Sequence, residues 1–365
     1  MTGDFDHQLA GAEHAAHPSR RQIMTGAAAL GFCGLAATGG PAAQAATSHK
    51  ARRIDVHRHT FSPAYVEARR ADRSLTPQLA DGMNPARTLE DMDQGGVTMA
   101  IMSAPSAPKK SFGDKQAMRS WAREQNDYLA KIRADHPDRF GIFAATSLPD
   151  VDGALKEIEY AFDVLKADGI GLVTNYGDKW LGDPAFAPVF DELNRRKALV
   201  YTHPTSANCC TGLLTGAGIG DADIEYGTDT TRALANVVFG GTAARCPDVR
   251  IIWSHAGGTM PFLVERFMKL AQTPKFAAKF PHGFVPEARK FYYDTAQTSQ
   301  GLGAPMLALK KVVPVSHILF GTDFPWRTAD ETVKGLKDNH IFTDKELAAI
   351  AAANALPLLP RLAKV

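Results

Sequence analysis

Eight short β-rich runs, separated by longer helical stretches, constrain this chain more than any other feature. The runs are Arg53–His57, Thr98–Ser103, Phe140–Thr146, Gly171–Thr174, Leu199–His203, Arg250–Ser254, Phe291–Asp294 and Ile318–Gly321. Helical patterns lie between and after them at Lys115–Asp135, Val151–Ala167, Phe186–Arg196, Thr230–Ala244, Pro261–Ala271, Leu302–Lys311, Glu331–Lys337 and Lys345–Ala353. Parallel neighbours need a crossover connection, so strand–helix alternation builds a parallel sheet. Residues 46–365 are therefore expected to form one α/β domain, a (β/α)8 TIM barrel. The segment Thr60–Arg87 is too long for a plain loop and reads as an insertion after strand 1 that covers the barrel mouth. A doubly wound open sheet would carry a GxGxxG turn after an early strand. Gly216-Ala217-Gly218-Ile219-Gly220 follows a cysteine pair instead, which favours the barrel.

Residues 1–45 are a different kind of text. Ser19-Arg20-Arg21-Gln22-Ile23-Met24 precedes a weakly apolar, Ala- and Gly-rich run, and Ala43-Gln44-Ala45 gives a small-x-small cleavage pattern. This resembles a twin-arginine export signal, which implies passage through the twin-arginine translocase and a periplasmic or secreted location. The apolar run is too short and weak for a stable membrane anchor. The leader holds two of the 41 basic and three of the 39 acidic residues, which leaves the remainder at +3. With no basic block, nothing points to nucleic acid. Cys209, Cys210 and Cys246 remain, an odd number that excludes a purely internal disulfide framework. The adjacent pair reads as small buried apolar residues, with a vicinal disulfide or a pocket lining as alternatives.

Barrel enzymes place their chemistry at the C-terminal ends of the strands. Those ends carry His57 and His59 (strand 1), His203 (strand 5), His255 (strand 6), Asp294 (strand 7) and Asp323 (strand 8). Residues i and i+2 of a strand share a face, so His57 and His59 project together while Arg58 between them points away and reads as structural. Imidazoles and a carboxylate converging on one mouth suit a metal ion.

The segments Val56-His57-Arg58-His59, Tyr201-Thr202-His203-Pro204-Thr205, Trp253-Ser254-His255-Ala256-Gly257-Gly258 and Phe320-Gly321-Thr322-Asp323-Phe324-Pro325-Trp326 resemble the amidohydrolase-2 family of metal-dependent barrels, in the same order and across most of the chain. The resemblance is nearest to its aminocarboxymuconate-semialdehyde and 6-methylsalicylate decarboxylase-like branch. It implies that His57, His59, His203 and Asp323 bind one divalent metal, zinc first with manganese as the alternative, and that His255 and Asp323 are catalytic. Strand 4 has no lysine that a second metal would require, so the site is expected to be mononuclear.

The activity implied is a metal-dependent non-oxidative decarboxylation of a small, hydroxylated aromatic carboxylic acid, a carbon–carbon lyase reaction. The alternative is a hydrolase of a lactone, amide or ester that uses a metal-activated water, since the same ligands serve both reactions. A non-enzymatic binding protein on a barrel scaffold would dispense with His255 and Asp323. Candidate substrate contacts are Phe61, Tyr65, Arg87, Asn208, Asp294, Phe324 and Trp326, the aromatics as walls for a flat ring. Asp294 is open to two other readings, orienting a ligand histidine or capping a helix. A homodimer is a further possibility.

Overall fold

The computed structural model describes residues 52–71, 75–104 and 113–361, so the expected export signal at residues 1–45 lies outside the described residues. Eight parallel strands form one sheet in sequential order: β1 (Ile54–His59), β2 (Met99–Ser103), β3 (Phe140–Ala144), β4 (Gly169–Val173), β5 (Leu199–His203), β6 (Arg250–Trp253), β7 (Tyr292–Asp294) and β8 (Ile318–Leu319). The ring is completed where the chain beyond β8 returns to β1. Val56 N–H donates to Phe320 O at 3.0 Å, Asp323 N–H to His57 O at 2.9 Å, and His59 N–H to Phe324 O at 3.0 Å. The expected (β/α)8 barrel is the architecture observed.

Two apolar layers sandwich the sheet. Ile54, Val56, Met99, Ile101, Phe143, Leu199, Tyr201, Ile252 and Leu319 fill the barrel interior, with Leu358 and Leu359 packed against the same cluster. Residues of opposite parity, such as Ala100, Ile142, Leu172, Val200 and Trp253, pack outward against the helices. This two-sided burial is why the strands read as near-continuous apolar runs.

The insertion after β1 is helical. It contains α1 (Pro63–Ala71) and α2 (Pro77–Gly82), followed by α3 (Pro85–Gly95). Thr76 caps α2 by accepting from Leu79 N–H, Asn84 caps α3 by accepting from Ala86 N–H, and each helix then begins on proline, whose fixed φ suits that position. Gly96 ends α3 at φ 66°, the left-handed conformation that glycine adopts without penalty. The insertion is pinned to α4 (Lys115–Asp135). Ser62 N–H donates to Gln125 Oε1 at 2.9 Å, and Phe61 and Tyr65 bury themselves with Met118 and Trp121. Burial of two aromatic side chains contributes roughly 1.5–3 kcal/mol each.

The remaining helices are α5 (Val151–Glu159), α6 (Ala187–Arg195), α7 (Asp221–Phe239), α8 (Thr242–Arg245), α9 (Met260–Ala271), α10 (Phe284–Ala288), α11 (Ala304–Val312), α12 (Ala329–Asp338) and α13 (Asp344–Ala348). Among the described residues no helix is long and apolar enough to cross a membrane. Cys209 and Cys210 are joined as a vicinal disulfide, with Cys209 exposed, which corrects their reading as buried apolar residues.

Candidate metal centre

Strand β1 reaches its functional geometry through a bulge. Asp55 pairs with Ala100 and Arg58 with Met102, so three steps along β1 face two along β2. Ile54 and Val56 point into the barrel. Without the extra residue, Arg58 would follow them and both histidines would face the helices. The bulge reverses the phase, as bulges beside functional sites do. His57 and His59 turn inward and are fully buried.

Arg58 turns outward into a closed set of partners. Its Nε donates to Asp55 Oδ2 at 3.0 Å, its Nη2 to Asp91 Oδ2 at 2.6 Å, and the guanidinium lies 4.5 Å from the Phe324 ring centroid. Phe324 is therefore engaged on the outer side of the sheet, which corrects its reading as a substrate contact.

Four donors meet on the inner side. Ligand atoms of His57, His59, His203 and Asp323 all lie within 4.8 Å of one another, and all four residues are buried. They come from three kinds of terminus: the bulged strand β1 for His57 and His59, the last residue of β5 for His203, and the left-handed turn after β8, where Asp323 holds φ 70°. That conformation costs a non-glycine residue about 1–2 kcal/mol. It is retained because Asp323 N–H is tied to His57 O and the side chain is turned onto the histidines.

Hydrogen bonds fix the tautomers. His57 Nδ1 donates to Asp294 Oδ2 and His203 Nδ1 donates to Pro204 O, each at 2.8 Å, which turns both Nε2 atoms toward the cluster. His57 Nε2 and His59 Nε2 stand 3.3 Å apart, and Asp323 Oδ1 lies 3.0 Å from the first and 2.8 Å from the second. Two imidazole lone pairs face each other at that distance favourably only around a shared proton or cation. Four donors at about 2.0–2.2 Å from one ion would span no more than about 4.4 Å. The observed spread requires a contraction of only a few tenths of an ångström, so the residues fit a divalent metal.

The electrostatics agree with that fit. Burial opposes a charge on His57, but Asp294 and Asp323 outweigh it and raise its pKa to about 10. Burial pulls His59 below its ordinary value despite Asp323, and burial together with the neighbouring histidines pulls His203 well below. Burial would raise Asp323, yet His57, His255 and His59 hold it well below the usual carboxylate range. The centre without an ion thus carries one anion, one protonated imidazole and two neutral donors. A divalent cation would displace that proton.

His255 stands at the edge of the cluster, its ring centroid 5.0 Å from that of His57 and its Nε2 3.4 Å from Asp323 Oδ2 without hydrogen-bond alignment. Four successive residues with positive φ, His255 to Gly258, swing the chain away from the end of β6, and the His255 ring lines the mouth. Asp294 joins the two: Oδ2 accepts from His57 Nδ1, and Oδ1 accepts from the backbone N–H of His255 at 2.8 Å and of Ala296 at 3.1 Å. It is buried behind the histidines and does not line the cavity, which corrects its reading as a substrate contact.

A cavity of about 800 Å³ opens above the centre. Phe61, Tyr65 and Trp326 line it, with Phe61 stacked on Tyr65 at 4.7 Å and Trp326 edge-on to His59 at 4.9 Å. Arg87 does not. It is exposed on α3 and occupied with Asp81 and Glu90, charges close to it in sequence. Asn208 is exposed beside the two-residue hairpin Asn175–Tyr176/Lys179–Trp180, its backbone N–H donating to Gly177 O, and lies outside the cavity wall. The sequence reading missed Arg69, Tyr226, Phe262 and Gln297, all of which line the cavity. Only Gln297 had a positional signal, three residues past the acidic end of β7.

The amidohydrolase family profile fits residues 54–361, from the first residue of β1 to the end of the described chain. The chain belongs to the amidohydrolase family. This amidohydrolase is 36% identical over 323 residues to Decarboxylase yanB of Aspergillus niger, spanning 85% of this chain and 88% of the relative. It is 34% identical over 320 residues to 6-methylsalicylic acid decarboxylase of Penicillium expansum, spanning 85% and 97%. A solved dihydroxybenzoic acid decarboxylase from Polaromonas sp., with bound manganese and the inhibitor 2-nitroresorcinol, superposes with a TM-score of 0.69. At 21% identity, covering 84% of this chain and 96% of that one, the likeness is one of fold.

Proposed function

We propose that this amidohydrolase is a metal-dependent non-oxidative decarboxylase acting on a small hydroxylated aromatic acid. The observation that carries the reading is the buried three-histidine, one-aspartate cluster at the base of an aromatic-walled cavity, with His255 beside it. The names of the two relatives above support the same chemistry. We further propose zinc as the resident ion, with manganese as the alternative, and export by the twin-arginine route.

His57, His59, His203 and Asp323 would hold the ion, which supplies a positive anchor for a carboxylate and its ortho-hydroxyl. Phe61, Tyr65 and Trp326 give the ring flat apolar faces and keep water from the reacting carbon. When the carboxylate carbon leaves as CO2, its bonding pair stays on the ring carbon, and that carbon takes up a proton. Of the two candidates, Asp323 is held as an anion whose Oδ2 accepts from Gln297, so delivery is assigned to His255 Nε2, which stands at the edge of the cluster 3.4 Å from Asp323 Oδ2.

The test follows CO2 release from 6-methylsalicylate and dihydroxybenzoates by purified protein loaded separately with zinc or manganese, against Asp323→Asn. The expected result is metal-dependent release that falls at least 10²-fold in the variant. Silence across the panel with the ion stoichiometrically bound would transfer the reading to hydrolysis of a lactone, amide or ester.

A further inference from the structure

Gln297 sits on the loop leaving β7 and reaches the metal centre from the solvent side. Its Nε2 donates to Asp323 Oδ2 at 2.8 Å, while its Oε1 accepts from Arg327 Nε at 3.2 Å. A carboxylate at one end and a guanidinium at the other fix the orientation of the amide, because only its nitrogen carries hydrogens. The two oxygens of Asp323 are thereby divided. Oδ1 faces His57 and His59, and Oδ2 is held by Gln297 on the side of His255. Gln297 and Asp323 both have left-handed backbones, at φ 57° and 70°. Non-glycine residues persist there only where their surroundings over-determine them. Two such residues, at the exits of adjacent strands, meet in this one hydrogen bond.

We infer that Gln297 is a positioning residue that locks the Asp323 carboxylate, with Oδ1 committed to the ligand cluster and Oδ2 turned toward His255 and the cavity. The inference rests on reading the cluster as a metal centre, and not on which acid is turned over. Without the donor, the carboxylate turns about its last torsion, and the centre loses a fixed anionic ligand. Partners of this kind are worth about 10–100-fold in metal affinity or activity.

The test strips the purified protein of metal and titrates zinc or manganese against a chromophoric chelator. Wild type is compared with Gln297→Met, which keeps the length of the side chain and removes the donor. Affinity is expected to weaken about 10–100-fold, with the stripped protein still folded and its melting temperature lowered by only a few degrees, the loss of one hydrogen bond to a buried carboxylate. Arg327→Met, which frees only the far end of the amide, is expected to shift affinity less and in the same direction. On any acid the wild type decarboxylates, Gln297→Met is expected to lower kcat and leave KM unchanged. Wild-type affinity in Gln297→Met overturns the inference. So does a raised KM with affinity intact, which would make Gln297 a substrate contact. Failure of the wild type to bind either ion overturns the inference and the metal centre together, whereas binding without decarboxylation still leaves the affinity comparison to decide the role of Gln297.

Discussion

Asp294 serves two neighbours with one carboxylate, and that coupling has a measurable consequence. It is the nearest anion to His57 Nδ1, and with Asp323 it lifts His57 from 6.5 to about 10. A raised imidazole contributes stability that is fully present below about pH 6.5 and is lost as pH rises through about 10. Urea unfolding of the metal-free protein is therefore expected to show stability falling across that window. Asp294→Asn, which removes the charge and keeps the shape, is expected to flatten the fall, and parallel curves for the two proteins would count against the assignment. The sequence held the identity of these residues but not their partners. His57 and His59 were legible as a pair because a two-residue period survives any register. Phe324 was misplaced because nothing local in the sequence reveals its contact with Arg58, whereas Arg87 has its partners, Asp81 and Glu90, within a few residues, and that local charge pairing went unread.

At the scale of elements, the eight strands were readable because their apolar runs end in polar residues. Their helical partners were read less evenly. Helix α7 starts at Asp221 and not near Thr230, since its first two turns are polar and contain Gly227, so they show no apolar stripe. The Asn175–Trp180 hairpin is too short to leave a pattern, and the bulge in β1 is a property of register, which the sequence does not display. One packing contact between elements is sharply testable. Gly95, in the last turn of α3, lies against the start of α12, where an added Cβ would overlap Ala329 Cβ and sit 2.9 Å from its carbonyl carbon. Asp91 on the same helix accepts from Ala329 N–H at 3.1 Å, so the helices have no room to part without breaking a buried bond. Gly95→Ala is expected to cost about 1–3 kcal/mol in urea unfolding. A neutral result would show that α12 moves freely.

For the whole molecule, the expected leader makes a prediction of its own. Replacing Arg20 and Arg21 by lysine is expected to hold the full-length protein in the cytoplasm of its host, read by fractionation and immunoblotting. Unchanged export would reject the twin-arginine assignment. The order of the ring bears on the same journey. Three donors, His57, His59 and His203, lie in the first five strands, and the fourth, Asp323, lies beyond the last one, 264 residues after His59. A nascent chain still emerging from the ribosome therefore holds an incomplete claw until Asp323 has been made. Asp323 reaches the histidines through the same turn that bonds to His57 O and shuts the barrel. Capture of the ion by all four donors thus requires that the chain be made through Asp323 and that the ring be closed, a checkpoint that a half-wound barrel cannot pass.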